Sequence, residues 1–437
     1  MQIEADISFI RLIKKCNCKI IRMNKQHKLL IVGAGIGQVP LLLEAKQRGV
    51  HVTVVSIPGD YPCFKLADDI IYVDIFDREL VVSEAKKRGI TAVISDQNDL
   101  MMPTVAYVSE KLGIPGNRFD TVMTYCNKNH FRDACDQAGV PCPKHIAVES
   151  AGFDLSSFGC SFPLMVKPAD SQSSIGVKKV NNLEELQAAL HVALGKSPTH
   201  SAIVEEFFEG REVVCEGFID DGKYYLLQFA DRRYFDLSDV LIPSQTLFPS
   251  NLSENLKNKI VGYEQALANY TKPSFAITHS EYLVNESTGE IRIVESALRG
   301  GGVYISSDLI PMATGIDINK VLLYKALGIE IDVDDVFKKR NDEAAAYVCF
   351  YLPKGIVQSV SGIDEIKSMS FVKEAYIDDI EVGQQTEPPS YKGARKGPIL
   401  VQGNNRDELE RNVLYVQNKL SVSVKKQNGE LCNIKWL

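Results

Sequence analysis

Short apolar runs alternate with helix-spaced segments over the first part of the chain. The apolar runs are Leu29–Val32, Val50–Ser56, Ile70–Val73 and Ala92–Ser95, and the helical segments are Pro40–Gln47 and Arg78–Arg88. This alternation is typical of a parallel sheet that helices cover on both faces. We predict an α/β domain over residues 23–125.

The rest of the chain predicts α+β structure, in domains at 126–320 and 321–437. Turn residues, at Asp220 to Gly222 and at Asn285 to Gly289, separate paired apolar runs, which is a hairpin signal. The paired runs are Glu212–Ile219 with Tyr224–Phe229, and Phe275–Val284 with Ile291–Glu295. Further runs at Ala345–Tyr351, Phe371–Tyr376 and Ile399–Val401 predict a small sheet, followed by an amphipathic helix over Glu408–Leu420.

The composition agrees with a three-domain globular protein. At roughly 150 residues per domain, 437 residues correspond to about three domains. Hydrophobic residues at 45% and charged residues at 24% exclude disordered, collagen-like and coiled-coil chains. The net charge is −7 and no strongly basic domain stands out, so we expect neither nucleic acid nor an anionic membrane as a partner.

The ten cysteines are scattered and form no CxxC pair. A chain of this size builds its core without disulfides, so we expect reduced thiols and a cytoplasmic protein. No apolar run approaches the roughly 18 residues of a membrane span. Residues 1–22 lack the unbroken apolar centre of a signal peptide, and we interpret them as an appended arm or a misassigned start.

A glycine-rich turn, Gly33-Ala-Gly35-Ile-Gly37-Gln38, follows the first strand and opens a helix. Anions bind well at such a helix N-terminus. The strict dinucleotide pattern has glycine where Gln38 stands. A dinucleotide site, a small-molecule substrate site and a simple tight turn therefore all stay open.

Two lysines and a small-residue loop are candidates for binding a polyphosphate. Lys167 ends an apolar run, and the loop from Ala169 to Gly176 follows it. Backbone N–H groups and hydroxyls of such a loop can bind phosphate oxygens as a lid closes. Lys128 lies on a separate element, so both lysines can clamp one phosphate chain. Each lysine taken alone is an ordinary surface residue.

Acidic residues follow the apolar run Ala202–Val204. The backbone of Glu205 to Phe208 could bind an adenine edge, and Glu212 could accept from ribose hydroxyls. A solvated acidic face is the alternative for these glutamates. Arg232 and Arg233 either reach a substrate or end a strand in solvent.

Glu281 and Glu295 lie on adjacent predicted strands. Two carboxylates on neighbouring strands suit Mg²⁺, which takes oxygen ligands together with substrate phosphates. Arg299, just beyond Glu295, can bind a carboxylate or phosphate in two-pronged fashion. His279 is either a structural histidine or a group that orients or deprotonates a substrate.

The order of these motifs resembles the ATP-grasp superfamily over residues 28–437. The motifs are Asn127-Lys128, Gly139-Val-Pro141, Lys167-Pro168, Ser174-Ile-Gly176, Glu205 to Glu212, His279-Ser-Glu281 and Glu295 to Gly301. The resemblance implies an N-terminal Rossmann-like parallel-sheet domain, a central ATP-grasp domain with a lid subdomain, and a small C-terminal α+β domain. The Arg-Gly-Gly and His-x-Glu variants, with Tyr351 to Ile356 and Arg395 to Gly397, are most similar to L-amino-acid ligases and carnosine-synthase-type ligases.

The resemblance also implies cofactors and roles. ATP and Mg²⁺ are the implied cofactors, with Mn²⁺ as an alternative metal. The implied phosphate contacts are Lys128, Lys167, Ser173, Ser174 and Gly176, and the implied adenine and ribose contacts are Glu205, Glu206, Phe207, Phe208 and Glu212. The implied metal ligands are Glu281 and Glu295, and the implied catalytic residue is Arg299. His279 is a further catalytic candidate on its own chemistry. Ala297 stands where the family pattern Glu-x-Asn has asparagine, so one metal site lacks an oxygen.

The implied activity is ATP-dependent ligation of a carboxylate to an amine through an acyl phosphate. Its partners would be ATP and small carboxylate and amine substrates, and members of the family are often homodimers. A bicarbonate-using carboxylase and a non-catalytic ATP-binding module are the alternatives. Gly301-Gly302-Val303-Tyr304 replaces the Gln-Val-Glu-His string of biotin carboxylase-like enzymes, which disfavours a carboxylase.

Overall fold

The computed structural model describes residues 27–152, 155–172, 175–237, 242–302, 304–389 and 394–437. Residues 1–22 lie outside that set, as do Ser173, Ser174 and Val303. The α-helices are Val39–Gln47, Arg78–Arg88, Met102–Leu112, Phe119–Cys126, Lys128–Ala138, Leu183–Lys196, Glu254–Thr271, Ile310–Thr314, Ile318–Ala326, Val333–Lys338, Ile363–Ser368 and Arg406–Lys419. Short 3₁₀ turns lie at Ile36–Gln38, Pro62–Lys65, Asp99–Met101 and Leu155–Ser157, and one π-turn at Ile305–Leu309.

The N-terminal sheet is parallel, as the alternating pattern predicts. Its spatial order is Asp69–Tyr72, His51–Ser56, Lys28–Val32 and Ala92–Ile94. The two central strands are buried almost throughout, because helices cover both faces. This sheet brings the Gly33 turn and the segment after Ala92–Ile94 to the same edge, where ligands bind in open α/β sheets.

A second sheet of four antiparallel strands, which we call the lid sheet, carries the predicted adenine segment. Its spatial order is His145–Val148, Ala202–Glu206, Leu164–Pro168 and Lys178–Val180. Helix Leu183–Lys196 buries its apolar side against this sheet. The strand register places Lys167 opposite Ile203, so the predicted phosphate and adenine segments are neighbours.

The central sheet has eight antiparallel strands. In spatial order they are Glu290–Ala297, Phe275–Asn285, Arg211–Asp220, Lys223–Tyr234, Pro243–Phe248, Ala344–Phe350, Lys396–Gly403 and Val372–Ala375. Both predicted hairpins are confirmed by the antiparallel pairing of their strands. Apolar side chains pack on both sides of this sheet, so it is the common core of the molecule.

The prediction that three C-terminal runs form a small sheet is wrong. Its three predicted strands extend the central sheet instead, because Pro243–Phe248 pairs with Lys223–Tyr234 on one side and with Ala344–Phe350 on the other. This joining strand is buried at every position but carries Ser, Gln and Thr, so its sequence lacks an apolar run. A further antiparallel sheet is formed by Gln385–Thr386, Gly355–Ser361, Ser421–Lys425 and Leu431–Asn433.

Two expectations about composition can be compared with the described residues. The eight cysteines in these residues are free thiols, and four of them are partly exposed rather than fully buried. Within the described ranges, no helix has both the length and the apolar character needed to cross a bilayer.

Candidate active site

Strand pairing brings the two predicted metal ligands together. Glu281 lies directly opposite Glu295 in the antiparallel pair formed by Phe275–Asn285 and Glu290–Ala297. Directly opposed residues point to the same face with Cβ atoms about 5 Å apart. Ala297, in place of the family asparagine, lies opposite His279. We call Glu281 and Glu295 the carboxylate pair.

The same face of the central sheet carries further charged groups. His279 is two residues from Glu281 and lies opposite Glu216 of the neighbouring strand. The Glu216 carboxylate is fully buried and forms a short hydrogen bond with Nδ1 of His279. Burial lowers the pKa of His279, but the Glu216 charge and the hydrogen bonds to Glu216 and Glu281 together raise it, and the net shift is upward.

Arg232 is a buried part of this face and not a solvated strand end. Its Nη1 lies 2.7 Å from Glu212 Oε1 and 2.5 Å from Glu281 Oε1. Tyr234 Oη also donates to Glu212. Arg232 therefore bridges a predicted ribose ligand and a predicted metal ligand. Arg233 points elsewhere, where its half-exposed guanidinium pairs with Glu410 at 3.1 Å.

Arg299 is held by a carboxylate of the segment that follows the last strand of the N-terminal sheet. Its Nε and Nη2 donate to Asp99 Oδ1 and Oδ2 at 2.9 and 2.7 Å, a bidentate arrangement that fixes the guanidinium plane. Burial raises the pKa of Asp99, but the charge and hydrogen bonds of Arg299, with the charges of His279 and Lys128, together bring it below its usual value. Asp96 accepts from the Gly300 N–H and from Ser306 Oγ, both at 2.7 Å.

The glycines after Arg299 are required by close packing. A Cβ on Gly300 would lie 2.4 Å from Ser306 Cβ, and one on Gly301 would lie 2.5 Å from Glu216 Oε1. Contacts this short do not occur between real side chains, so the loop needs glycine at both positions. Gly302 differs, because its nearest such neighbour is at 3.9 Å.

Lys167 belongs to a buried charge cluster. Its Nζ lies 2.5 Å from Glu205 Oε2, and Arg132 Nε lies 2.7 Å from Glu205 Oε1. Arg132 also donates through Nη2 to Val294 O at 2.7 Å, on the strand that carries Glu295. Burial raises the pKa of Glu205, but the two cations lower it to about 2. We call Arg132, Lys167 and Glu205 the buried triad.

Lys128 contacts the loop predicted to cover the phosphates. Its Nζ donates to Ser171 O at 2.8 Å, and it begins a helix that the Asn127 side chain caps. Ser173 and Ser174 lie outside the described residues. Gly176 has a φ of +73°, and a Cβ there would lie 2.9 Å from Pro168 Cγ. The turn therefore packs tightly against the end of the Lys167 strand.

The predicted adenine segment leaves the lid sheet after Glu206. The Glu206 N–H donates to Lys144 O at 2.9 Å, and its carboxylate accepts from the Lys144 N–H at 3.1 Å. Cations cover both following rings: Lys179 Nζ lies 3.7 Å from the Phe207 ring centre, and Arg292 lies 4.9 Å from that of Phe208.

The glycine-rich turn of the N-terminal sheet is closed by Gln38. Its Oε1 accepts from the Gly35 N–H at 3.1 Å and its Nε2 donates to Asp96 O at 2.7 Å. A buried amide here ties the turn to the segment that holds the Arg299 loop. The tight-turn interpretation thus has a physical cause, and the turn faces the candidate active site through Asp96.

Four residues of this site were not predicted from the sequence: Arg132, Glu216, Asp96 and Asp99. Glu216 is four positions after Glu212 in one strand, which puts both on the same face. Asp96 and Asp99 follow a parallel strand at its carboxyl end, where functional groups gather. Strand alternation could therefore have identified Glu216, and the end of a parallel strand could have identified Asp96 and Asp99. The local pattern around Arg132 does not predict that it is buried.

The donor set around the carboxylate pair fits a metal that keeps other oxygen ligands. Within the described ranges, no cluster of three or more His, Cys, Asp or Glu side chains is arranged to hold a metal ion. Mg²⁺ is commonly bound through one or two carboxylates with phosphates and water. The pair therefore fits Mg²⁺ delivered with a nucleotide, and it does not form a complete protein cage.

Two family models match separate parts of the chain. The D-ala D-ala ligase C-terminus matches residues 135–260, which include Lys167 and Glu205 of the buried triad and the whole lid sheet. The L-amino acid ligase C-terminal domain 2 matches residues 348–425. The second match contains the Tyr351 to Ile356 and Arg395 to Gly397 segments that carry the predicted resemblance.

Similar proteins extend over nearly the whole chain. A formate-dependent phosphoribosylglycinamide formyltransferase of Prochlorococcus marinus is 22% identical, with 91% of this chain and 98% of that protein covered. An alanine–anticapsin ligase of Bacillus subtilis is 24% identical over 80% of this chain and 81% of its own length. The crystal structure of L-amino acid ligase from Bacillus licheniformis superposes with a TM-score of 0.77 at 20% identity, covering 92% and 100% of the two chains. These similarities confirm the predicted ATP-grasp fold and the predicted resemblance to L-amino-acid ligases.

Proposed function

We propose that this protein is an ATP-dependent carboxylate–amine ligase that forms amide bonds between small molecules, with amino acids as the substrate class. The main support for this proposal is the polar face of the central sheet, where the carboxylate pair, His279 and Arg299 lie together. The similarity of residues 348–425 to an L-amino acid ligase domain supports amino acids in particular. Free thiols at eight described cysteines agree with a cytoplasmic enzyme.

The reaction needs an activated carboxylate, because a free carboxylate is a poor electrophile at neutral pH. Transfer of the γ-phosphoryl group of ATP to the substrate carboxylate gives an acyl phosphate and ADP. The amine of the second substrate then attacks the acyl carbon, phosphate leaves and the amide forms. In such reactions the protein contributes mainly positioning and neutralisation of charge.

Nucleotide binding is assigned to the lid side of the site. Lys128 and Lys167 would contact the phosphates, and the loop that ends at Gly176 would cover them. Glu205 to Phe208 would hold adenine, and Glu212 the ribose hydroxyls. The fixed contacts Lys128 to Ser171 O and Lys167 to Glu205 support this assignment, because they hold both ammonium groups beside the loop and the adenine segment.

The carboxylate pair would hold Mg²⁺ together with the phosphates of ATP. The metal neutralises phosphate charge when it is bound. Arg232 forms ion pairs with Glu281 and Glu212, so it holds these two side chains in place on the sheet face. The oxygen that asparagine supplies elsewhere in the family would come from water or phosphate, because Ala297 has none.

Arg299 would stabilise the phosphorylated substrate. Asp99 holds its guanidinium through Nε and Nη2, and Nη1 donates to Gly300 O at 2.9 Å. This anchoring keeps the cation oriented before substrate arrives, which is the arrangement that stabilises developing charge most effectively. We assign His279, anchored by Glu216, to orientation of the substrate on the same face.

The test is ADP and phosphate release by the purified protein with ATP and Mg²⁺. Pools of L-amino acids are compared with bicarbonate alone, and products are analysed by mass spectrometry. We expect release that depends on amino acids, together with a condensed product. Release that depends on bicarbonate would assign a carboxylase instead.

Nucleotide binding without turnover in any pool would contradict the proposed ligase and favour a non-catalytic module. A site variant for the same assay is Arg299→Lys, which keeps the charge but loses the bidentate geometry. It should lower kcat about 100-fold and retain ATP binding.

A further inference from the structure

A group of titratable side chains lies at the end of helix Lys128–Ala138 and in the turn that follows it. Cys142 Sγ is 3.9 Å from His145 Nδ1 and 3.7 Å from Asp136 Oδ1. His145 Nε2 is 3.7 Å from Asp136 Oδ2. Cys135, on the last turn of the helix, is fully buried and is a neighbour of Cys142, which is partly exposed. We call these four residues the thiol cluster.

A buried cation adjoins the thiol cluster. Arg132 has no exposed surface, and two of its nitrogens bind Glu205 and Val294 O. Within the described ranges, its Nη1 is buried and has no hydrogen-bond partner. An unsatisfied guanidinium nitrogen in the interior is costly, so a nearby anion would stabilise it.

The two thiols differ in their readiness to ionise. The hydrogen bond from Cys135 lowers the pKa of Cys142, and His145 and the Arg132 charge lower it further, against the effect of burial. The same hydrogen bond, together with burial, raises the pKa of Cys135. Reactive cysteines are partly exposed and lie beside cationic groups. Cys142 is partly exposed and has His145 as well as the Asp136 carboxylate as neighbours. Cys160 is a contrast within the same chain, because burial raises its pKa.

The turn that carries Cys142 is also bonded to both sides of the nucleotide site. Pro141 O accepts from the Ile293 N–H at 2.9 Å, two residues before Glu295. Lys144 exchanges two hydrogen bonds with Glu206. A covalent change at Cys142 would therefore act on a segment fixed to the strand of one predicted metal ligand and to the predicted adenine segment.

We propose that Cys142 and Cys135 form a peroxide-reactive dithiol, with Cys142 as the attacking thiolate and Cys135 as the resolving thiol. The Cys142 thiolate attacks one oxygen of a hydroperoxide, the O–O bond breaks, and the leaving oxygen takes a proton as water or alcohol. Sulfur is oxidised to a sulfenic acid. The Cys135 thiol then attacks that sulfur, the S–O bond breaks, water leaves, and the disulfide forms.

The first experiment measures thiol reactivity in the intact wild-type protein. Iodoacetamide labelling is timed at pH 7 and each cysteine is followed by peptide mass spectrometry, with Cys160 and Cys432 as partly exposed internal controls. We expect Cys142 to be alkylated at least about 10-fold faster than Cys160, because a larger fraction of it is thiolate. Equal rates at the three cysteines would overturn the proposal.

The second experiment tests the resolving thiol. One equivalent of hydrogen peroxide should remove the mass of two hydrogen atoms, map to a peptide that links Cys135 to Cys142, and be reversed by dithiothreitol. Cys135→Ala should instead accumulate a sulfenic acid at Cys142 that dimedone traps, and Cys142→Ser should give neither product. Overoxidation of Cys142 in the wild type with no linked peptide would refute the role of Cys135. These readouts need no turnover, so they are independent of the proposed ligase activity.

Discussion

Glu264 is a buried carboxyl in the apolar core between helix Glu254–Thr271 and the central sheet. Tyr282 Oη donates to its Oε1 at 2.6 Å. Burial raises the pKa of Glu264 to about 7. The folded protein therefore binds a proton here more tightly than the unfolded chain does. Its stabilising contribution is complete below about pH 4.5 and is lost as the pH rises toward 7.

Glu264→Gln should flatten this dependence, because the amide cannot ionise. The free energy of unfolding of the wild type should fall by up to about 3 kcal/mol from this group between pH 5 and pH 8, and the variant should lose most of that fall. Urea unfolding at four pH values measures it. Glu254→Gln, at the exposed start of the same helix, is the control and should follow the wild type. Parallel curves for all three proteins would show that Glu264 ionises normally.

Gly301 is a position where one added methyl group should slow the reaction strongly. Its added Cβ would lie 2.5 Å from Glu216 Oε1 and 2.8 Å from Ile305 Cγ2, both in the interior. Gly301→Ala should therefore shift the Arg299 loop and lower kcat about 100-fold, as misplacement near the chemistry does. Gly302→Ala, with its nearest neighbour at 3.9 Å, should keep nearly full activity. Equal activities for the two variants would argue against a fixed loop.

At the level of elements, apolar runs and turns predicted most strands that carry the site. The run before Gly33 and both hairpins were found because β-branched residues and Gly turns repeat at clear spacings. Pro243–Phe248 was missed since its buried side chains include Ser, Gln and Thr. Without that strand, the C-terminal runs had no visible connection to the central sheet.

Side-chain pairing was harder to predict than the elements. The strand register that places Glu281 opposite Glu295 follows from the hairpin, so the carboxylate pair could be predicted from the sequence. The Asp99–Arg299 contact joins residues 200 positions apart and depends on how the N-terminal sheet docks. Arg132 can be buried because it donates hydrogen bonds to Glu205 and to Val294 O. Both partners are distant in the sequence, so the local pattern around Arg132 does not predict its burial.

The hairpin that carries the carboxylate pair gives a prediction about metal dependence. Glu281→Gln and Glu295→Gln each remove one charge and should lower kcat about 100-fold. Each should also raise the Mg²⁺ concentration needed for half-maximal turnover, because Mg²⁺ prefers carboxylate ligands. Glu290→Gln, at the exposed start of the Glu295 strand, is the matched control. The measurement is turnover of each variant across a range of Mg²⁺ concentrations. An unchanged Mg²⁺ dependence in both variants would show that the metal binds elsewhere.

At the scale of the whole molecule, the site depends on a contact between the N-terminal sheet and the central sheet. Asp99 holds Arg299 with two hydrogen bonds, and Asp96 holds the next residue. Asp99→Asn keeps the shape but loses the charge, so kcat should fall at least about 10-fold, with a coupling energy to Arg299→Lys above about 1 kcal/mol. Asp120→Asn, whose pair with Arg118 is exposed, should change nothing. A double-mutant cycle on kcat measures the coupling. Purely additive effects would mean that Asp99 does not act through Arg299, and the two sheets would then be joined structurally without sharing the chemistry.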